Sequence, residues 1–291
     1  MEHLILENKS SRYISILLLL VLMISTIEGS SFKPLDIEKL LREELGIYTD
    51  TTEQILQATK NEGYFVRYCA LELLKDRIGT KAIPTLKEAL DDQRMEVRWR
   101  AAHLLGTLDD KSGLERMRQD LMEFAPNNGA LVPLDPNVTD PNEIKEIESK
   151  RNLRLSYALD AATVLAELGD RRGYELAVRM ALEGALAVQR KKAVQVLVEI
   201  AKGDEKILAT EGKDPVILLC AVAEFEKDRT VFRKLTRSAE ELRGDLAVKV
   251  LEKAINSRHQ SELMRNVAKI RLERVRAKIK AAENKAKESS G

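Results

Sequence analysis

The chain has 291 residues, 44% of them hydrophobic and 33% charged, a balance that excludes a disordered polymer and a polytopic membrane protein. Aromatic residues make up only 4%, which argues against a large aromatic-lined cofactor pocket, and a net charge of +1 argues against a whole-surface nucleic-acid binder. Fourteen Gly and seven Pro are few for this length, and the abundance of Leu, Ala, Glu, Lys and Arg predicts a helical chain.

The first feature in chain order is the apolar run ISILLLLVLMISTI at 14–27, preceded by Lys9 and Arg12. A membrane span needs roughly 20 apolar residues, so this shorter run reads as the core of a secretory signal cut after Gly29, or as a retained N-terminal anchor. The expected location is therefore outside the cytoplasm, periplasmic or secreted. Cys69 and Cys220 read as small buried apolar residues and not as a disulfide. Next, Pro34 opens a helix that Gly46 stops, with Leu35, Ile37, Leu40, Leu41 and Leu45 between them. That helix, within 30–50, is expected to cap the first repeat.

From there the chain repeats itself. VRYCALELL at 66–74 returns thirty-one positions later as VRWRAAHLL at 97–105, and a period in this range marks stacked helix pairs. Val97, Ala101, Leu104, Leu105 and Leu108 form one buried stripe at helical spacing, and the small Ala101 and Ala102 allow close helix approach. The pattern returns at Ala161, Ala162, Val164, Leu165 and Leu168, after an insertion at 125–149 that holds Pro126, Pro133, Pro136 and Pro141. Further pairs are read at 171–183 with 187–202, at a degenerate pair whose second helix is 215–226, and at 229–241 with 244–256. The fold class expected is an all-α solenoid of about six helix pairs over 51–257. A basic helix at 258–291 closes the chain.

The string AIPTLKEALDDQRMEVRWRAAHLLGTL resembles a HEAT repeat, with Pro inside its first helix, Asp in the turn, Val-Arg opening the second helix and paired Ala and Leu-Leu-Gly after it. It looks in particular like the HEAT-like repeats grouped with the phycobilin lyases. The resemblance is densest over 52–123 and thins beyond 202. It implies that Arg67 and Arg98, with Asp91 or Asp92, tie neighbouring repeats together by hydrogen bonds. Ala158 stands where a third such Arg would be, so this ladder is expected to end after two repeats. HEAT-like iron hydroxylases of deoxyhypusine hold metal with His-Glu dipeptides, whereas His3, His103 and His259 are followed here by Leu, Leu and Gln.

The sequence contains no Gly-rich phosphate loop, paired-Cys zinc spacing or nucleophile elbow. The chain reads as a non-enzymatic scaffold that binds a protein partner, without metal or cofactor and with no nucleic-acid partner expected. The alternatives are a bilin-type lyase, or an anion-binding module using the C-terminal helix, which has nine Lys or Arg against three Glu over 265–291. Two partner-binding regions are expected. One groups Tyr68 and Trp99 with Arg67, Arg98 and Arg100, the residue types of binding hot spots, although both aromatics could equally be half-buried against the next repeat. The other is the insertion, whose Leu131, Val132, Leu134 and Val138 are apolar without helical spacing. Asn137-Val138-Thr139 also forms a glycosylation sequon, meaningful only on a eukaryotic secretory route.

Export has a direct check. N-terminal sequencing of natively expressed protein is expected to begin near Ser30, whereas an intact Met1 on soluble cytosolic protein would refute it.

Overall fold

The computed structural model describes residues 37–129, 135–136, 138–203 and 214–288, and all regular structure among them is helical. The apolar run at 14–27, Pro34 and Leu35 lie outside the described residues. The chain divides into two compact units at Asp110 and Lys111, each taken in turn.

The first unit begins with α1 (Ile37–Leu45), α2 (Thr52–Ala58) and α3 (Tyr64–Ile78). Gly46 stops α1 in a left-handed conformation, its N–H donating to the Arg42 carbonyl, the conformation for which Gly carries no Cβ penalty. Thr51 and Gln54 start α2 with a reciprocal capping box. Arg77 near the end of α3 reaches Glu38 and the Asp50 carbonyl, fastening α1 and its following turn to α3. The helix α4 (Ile83–Glu88) is shorter than the sequence suggests, because tight 3-10 turns occupy Gly79–Ala82 and Ala89–Asp91. Pro84 sits in its first turn, where a missing N–H leaves no bond broken. The long α5 (Met95–Thr107) buries Val97, Ala101, Ala102, Leu104 and Leu105, and packs on both α3 and α4.

The second unit contains α6 (Gly113–Phe124), α7 (Pro141–Glu167), α8 (Tyr174–Glu183) and α9 (Ala187–Ala201). It continues with α10 (Pro215–Phe225), α11 (Arg229–Ala239), α12 (Gly244–Ile255) and α13 (Glu262–Glu288). Ion pairs join each of several helices to the next but one. Lys192 on α9 meets Asp160 on α7 at 2.6 Å, Lys202 at the end of α9 meets Glu241 beyond α11 at 2.6 Å, and Arg271 on α13 pairs with Glu240 beside α11. A parallel row runs from α10 to α12 through Glu224 and Lys253 at 3.5 Å. α11 is thus joined to α9 and α13, and α10 to α12.

Helix α7 begins at Pro141, nine residues before the start read from sequence. Asp140 caps it by accepting the Asn142 N–H, and Pro141 stands at N1, so this proline starts a helix where the sequence reading counted it as loop. The stretch 141–149 is consequently helical, so α7 takes over the last nine residues of the insertion read from sequence.

Both thiols are free. Burial pushes the Cys69 thiol up to about 12, against a small opposing effect of the Arg100 cation, which makes it inert as a nucleophile.

Trp99 is only 8% exposed, so of the two placements open from the sequence, a surface patch or burial against a neighbour, the ring takes the buried one, in the core of α5. Denaturant melts of Trp99→Ala are expected to show a loss of about 3 to 5 kcal/mol. Ala101→Leu and Ala161→Leu, at fully buried positions, should each lose about 1 to 3 kcal/mol by overpacking. A Trp99→Ala melt within 0.5 kcal/mol of wild type, on the order of surface substitutions, would contradict this placement.

Candidate partner-binding surface

The five residues expected to form a patch on the first two repeats are tied to one another and to the turns. Arg67 donates from Nε and Nη2 to the two carboxylate oxygens of Asp92, both at 2.7 Å, and from Nη1 to the Asn61 and Glu62 carbonyls at 2.8 and 2.9 Å. Arg98, 7% exposed, donates to the Asp92 and Gln93 carbonyls. Arg100 pairs with Glu72 while its guanidinium lies 5.3 Å from the centre of the Tyr68 ring. Arg98 and Trp99 are thus inside the fold, where they cannot serve as surface anchors, and only the half-buried Tyr68, Arg67 and Arg100 retain exposed atoms. The reason is chemical: each turn leaves carbonyls without helical partners, and an Arg fork is the side chain that supplies several donors at once.

The same joint recurs in the second unit, which corrects the expectation that it ends after two repeats. Arg190 on α9 donates from Nε and Nη2 to Glu226 and from Nη1 to the Gly184 carbonyl at 2.8 Å. Glu226 in turn accepts the Asp228 N–H at 2.7 Å, just as Asp92 accepts the Arg94 N–H at 2.8 Å. Arg190 stands four residues after the Leu186 N-cap, as Arg67 does after Gly63 and Arg98 after Arg94. That spacing was the signal in the sequence, masked by Ala158 in the intervening place.

Of the insertion residues, Leu131, Val132 and Leu134 lie outside the described residues, as does Asn137 of the sequon. Val138 is half-buried and its N–H donates to the Asp135 carbonyl at 2.9 Å. The start of the connection is firmly held. Asn127, Asn128 and Gly129 all have φ between 55° and 69°, a short left-handed turn that Asn and Gly tolerate better than other residues. Gly129 lies against Leu155 of α7 and Leu176 of α8, both within 2.8 Å of where a Cβ would stand, and Arg179 of α8 donates to the Asn128 carbonyl at 3.0 Å.

Beside this turn opens a cleft of about 550 Å³ between α6 and the start of α8. Its floor is apolar, made by the buried Leu121, Ala125 and Tyr174. Met122, 71% exposed, stands at its lip. Arg118, Arg171 and Arg172 supply cationic groups against Glu175, and Asn127 and Asn128 add carboxamides. Arg118 is fixed by Asp170 at 2.7 Å, which also accepts the Arg172 N–H at 3.0 Å. Burial, and then the charges of Glu175 and Asp214, raise the Tyr174 phenol above its ordinary range, so it is a neutral hydroxyl at physiological pH. An apolar side chain on the floor with carboxylates toward the arginines is the ligand pattern this arrangement accommodates.

No protein-family model, curated protein or solved structure matches the chain. Among the described residues no group of three or more His, Cys, Asp or Glu is placed to hold a metal ion, and no helix is long and apolar enough to cross a membrane.

The Arg67 joint makes an acid-sensitivity prediction. Burial by itself would raise the Asp92 carboxyl, but the Arg67 hydrogen bonds, the Arg94 N–H and the nearby guanidinium charges outweigh it and hold the carboxyl below its usual range. A depressed folded value gives stability that is present above the unfolded value of about 3.9 and lost as pH falls through the folded one. Fluorescence of Trp99, the chain's single Trp, should report a fall in first-unit stability below about pH 4 that is shallower in Asp92→Asn. Equal acid slopes in both proteins would refute the linkage.

Proposed function

We propose that this chain is a non-enzymatic α-solenoid scaffold of HEAT-like repeats, exported or anchored by the apolar run at 14–27, that captures a protein partner. The observation that carries the reading is the cleft beside the 127–129 turn: an apolar floor with arginines at its edge, built on helices and not on a free loop. The alternation of ion pairs between helices and their next-but-one neighbours supports the solenoid part of the reading, because stacked pairs bond chiefly to adjacent repeats. The turn at 127–129, near the start of the insertion read from sequence, also forms one wall of the cleft, and insertions between repeats commonly line a binding face.

The partner class favoured is a peptide segment with an aliphatic or aromatic anchor beside acidic residues. Burial of the anchor against Leu121, Ala125 and Tyr174 would supply affinity, and charge at Arg172 would supply orientation. Arg172 is the adaptable member, since its side chain is well exposed and only 3.7 Å from Asp170, whereas Arg118 is held by both Asp170 and Glu115.

A photo-crosslinking residue at Met122 is expected to trap a single partner in the native compartment, and Arg172→Glu to reduce that adduct at least tenfold, about 1.4 kcal/mol or more. Both substitutions lie at exposed positions, so melting should be unchanged. Met122 adducts no more abundant than those from an equally exposed site such as Tyr48 would refute the reading.

A further inference from the structure

The C-terminal helix α13 is fixed by one stripe of its surface and leaves a second stripe uncovered. Met264, Ala268, Leu272 and Val275 are buried against the bundle, and Ile279 reaches Gly244 at the start of α12. At positions 263, 267, 270, 274, 278, 281 and 285, steps of three or four place Leu, Val, Ile, Arg, Lys, Ala and Lys along another face. Leu263 is 65% and Ile270 51% exposed, and Arg274, Lys278 and Lys285 are exposed with them. No acidic residue falls on this strip before Glu288. The opposite side differs in that acids stand within it: Glu273 and Glu283 are interspersed among Lys269, Arg276, Lys280 and Lys287, the mixture of an ordinary solvated face.

A neighbouring helix extends the cationic strip. α13 packs on α11, whose buried side holds Val231, Phe232, Leu235 and Ala239. Its other side presents Arg229, Arg233, Lys234 and Arg237, with no acid anywhere from Arg229 to Ala239. The seam between the two helices is marked by the Arg271 and Glu240 pair. Arg271 is four residues after Val267 and three before Arg274, and Glu240 is three after Arg237, so the α13 strip and the α11 row border the same seam. Of the acids flanking α11, Asp228 caps its first turn, and Glu240 and Glu241 pair with Arg271 and Lys202.

We propose that the α11 and α13 faces form one docking surface for an anionic lipid bilayer. Cations alone would fit any polyanion. The exposed Leu263 and Ile270 between them distinguish the bilayer, because an aliphatic side chain has nothing to bury it against a phosphodiester backbone but enters the acyl boundary while Lys and Arg reach the headgroups. A second copy of this strip is disfavoured by like charge. The proposal does not depend on the partner cleft, with which it shares no residue.

The test uses the full chain and vesicles of phosphatidylcholine alone or with about one third phosphatidylglycerol. Docking through α13 is separated from membrane insertion of the N-terminal run by measuring hydrogen exchange over 262–288. Anionic vesicles are expected to slow exchange there and neutral vesicles to leave it unchanged, with the effect lost on adding salt. Reversing Arg237, Lys278 and Lys285 to Glu should weaken anionic-vesicle binding roughly fivefold for each cation, with melting unchanged. Leu263→Ser with Ile270→Ser should weaken binding yet keep its salt dependence. Equal exchange over 262–288 on both vesicle types would overturn the proposal. So would protection by a single-stranded oligonucleotide but not by anionic vesicles, which would reassign the face to nucleic acid.

Discussion

The interaction on which the structure depends most is the arginine fork at the start of a long helix, seen at Arg67, Arg98 and Arg190. A helix pair must reverse direction in a few residues, and the reversal leaves carbonyls pointing inward with no N–H to meet them. One guanidinium answers several of these acceptors at once, and at Arg67 and Arg190 its remaining edge grips a carboxylate from another turn. That carboxylate is itself oriented by a backbone N–H two residues on, so it can face only one way. Removing one member of such a half-buried pair strands the other, which typically costs several times what an exposed ion pair contributes. Lys could not substitute, having a point charge where the geometry needs a planar fork.

These joints explain why sequence reading found the helices more readily than their roles. The buried stripe of α5 was legible because Val97, Ala101, Leu104 and Leu105 repeat at helical spacing, and Gly46 was legible as a stop because only a residue without Cβ turns left-handed cheaply. Trp99 was left open between surface and interior. Its repeat position groups it with Tyr68, whereas burial depends on which helix covers that face, information that a single sequence does not carry. Pro141 shows the same limit locally: Asp-Pro starts a helix or ends a loop, and only the run of helix formers after it, with Glu146 and Lys150 paired at 2.6 Å, decides between them.

The connection after α6 illustrates how an irregular segment becomes part of a scaffold. Three consecutive left-handed residues are costly in most contexts, but Asn127, Asn128 and Gly129 are the residue types for which that cost is smallest. The turn is then pinned by Arg179 and by the fit of Gly129 between Leu155 and Leu176, a space too small for any side chain. Sequence reading identified this region by its proline count and its length. The consequential residues are instead the Asn-Asn-Gly that precedes the apolar stretch, since they fix one wall of the cleft relative to α7 and α8.

Charge is distributed so that the two proposed surfaces of the second unit differ in physical character. In the second unit several acids meet a cation on another helix, as Asp160 does with Lys192 and Glu241 with Lys202, whereas the cleft sets Arg171 and Arg172 against Glu175 beside an apolar floor. The cleft combines that charge with apolar burial, a short-range interaction that salt leaves largely intact. Along α11 and the outer strip of α13 the cations outnumber the acids, and attraction there extends over a Debye length of about 8 Å at physiological ionic strength. One surface sets a few cations beside an apolar floor and the other spreads cations along two helices, with no residue in common. Neither therefore takes a contact residue from the other, and a partner in the cleft competes with a bilayer at α11 and α13 for no side chain.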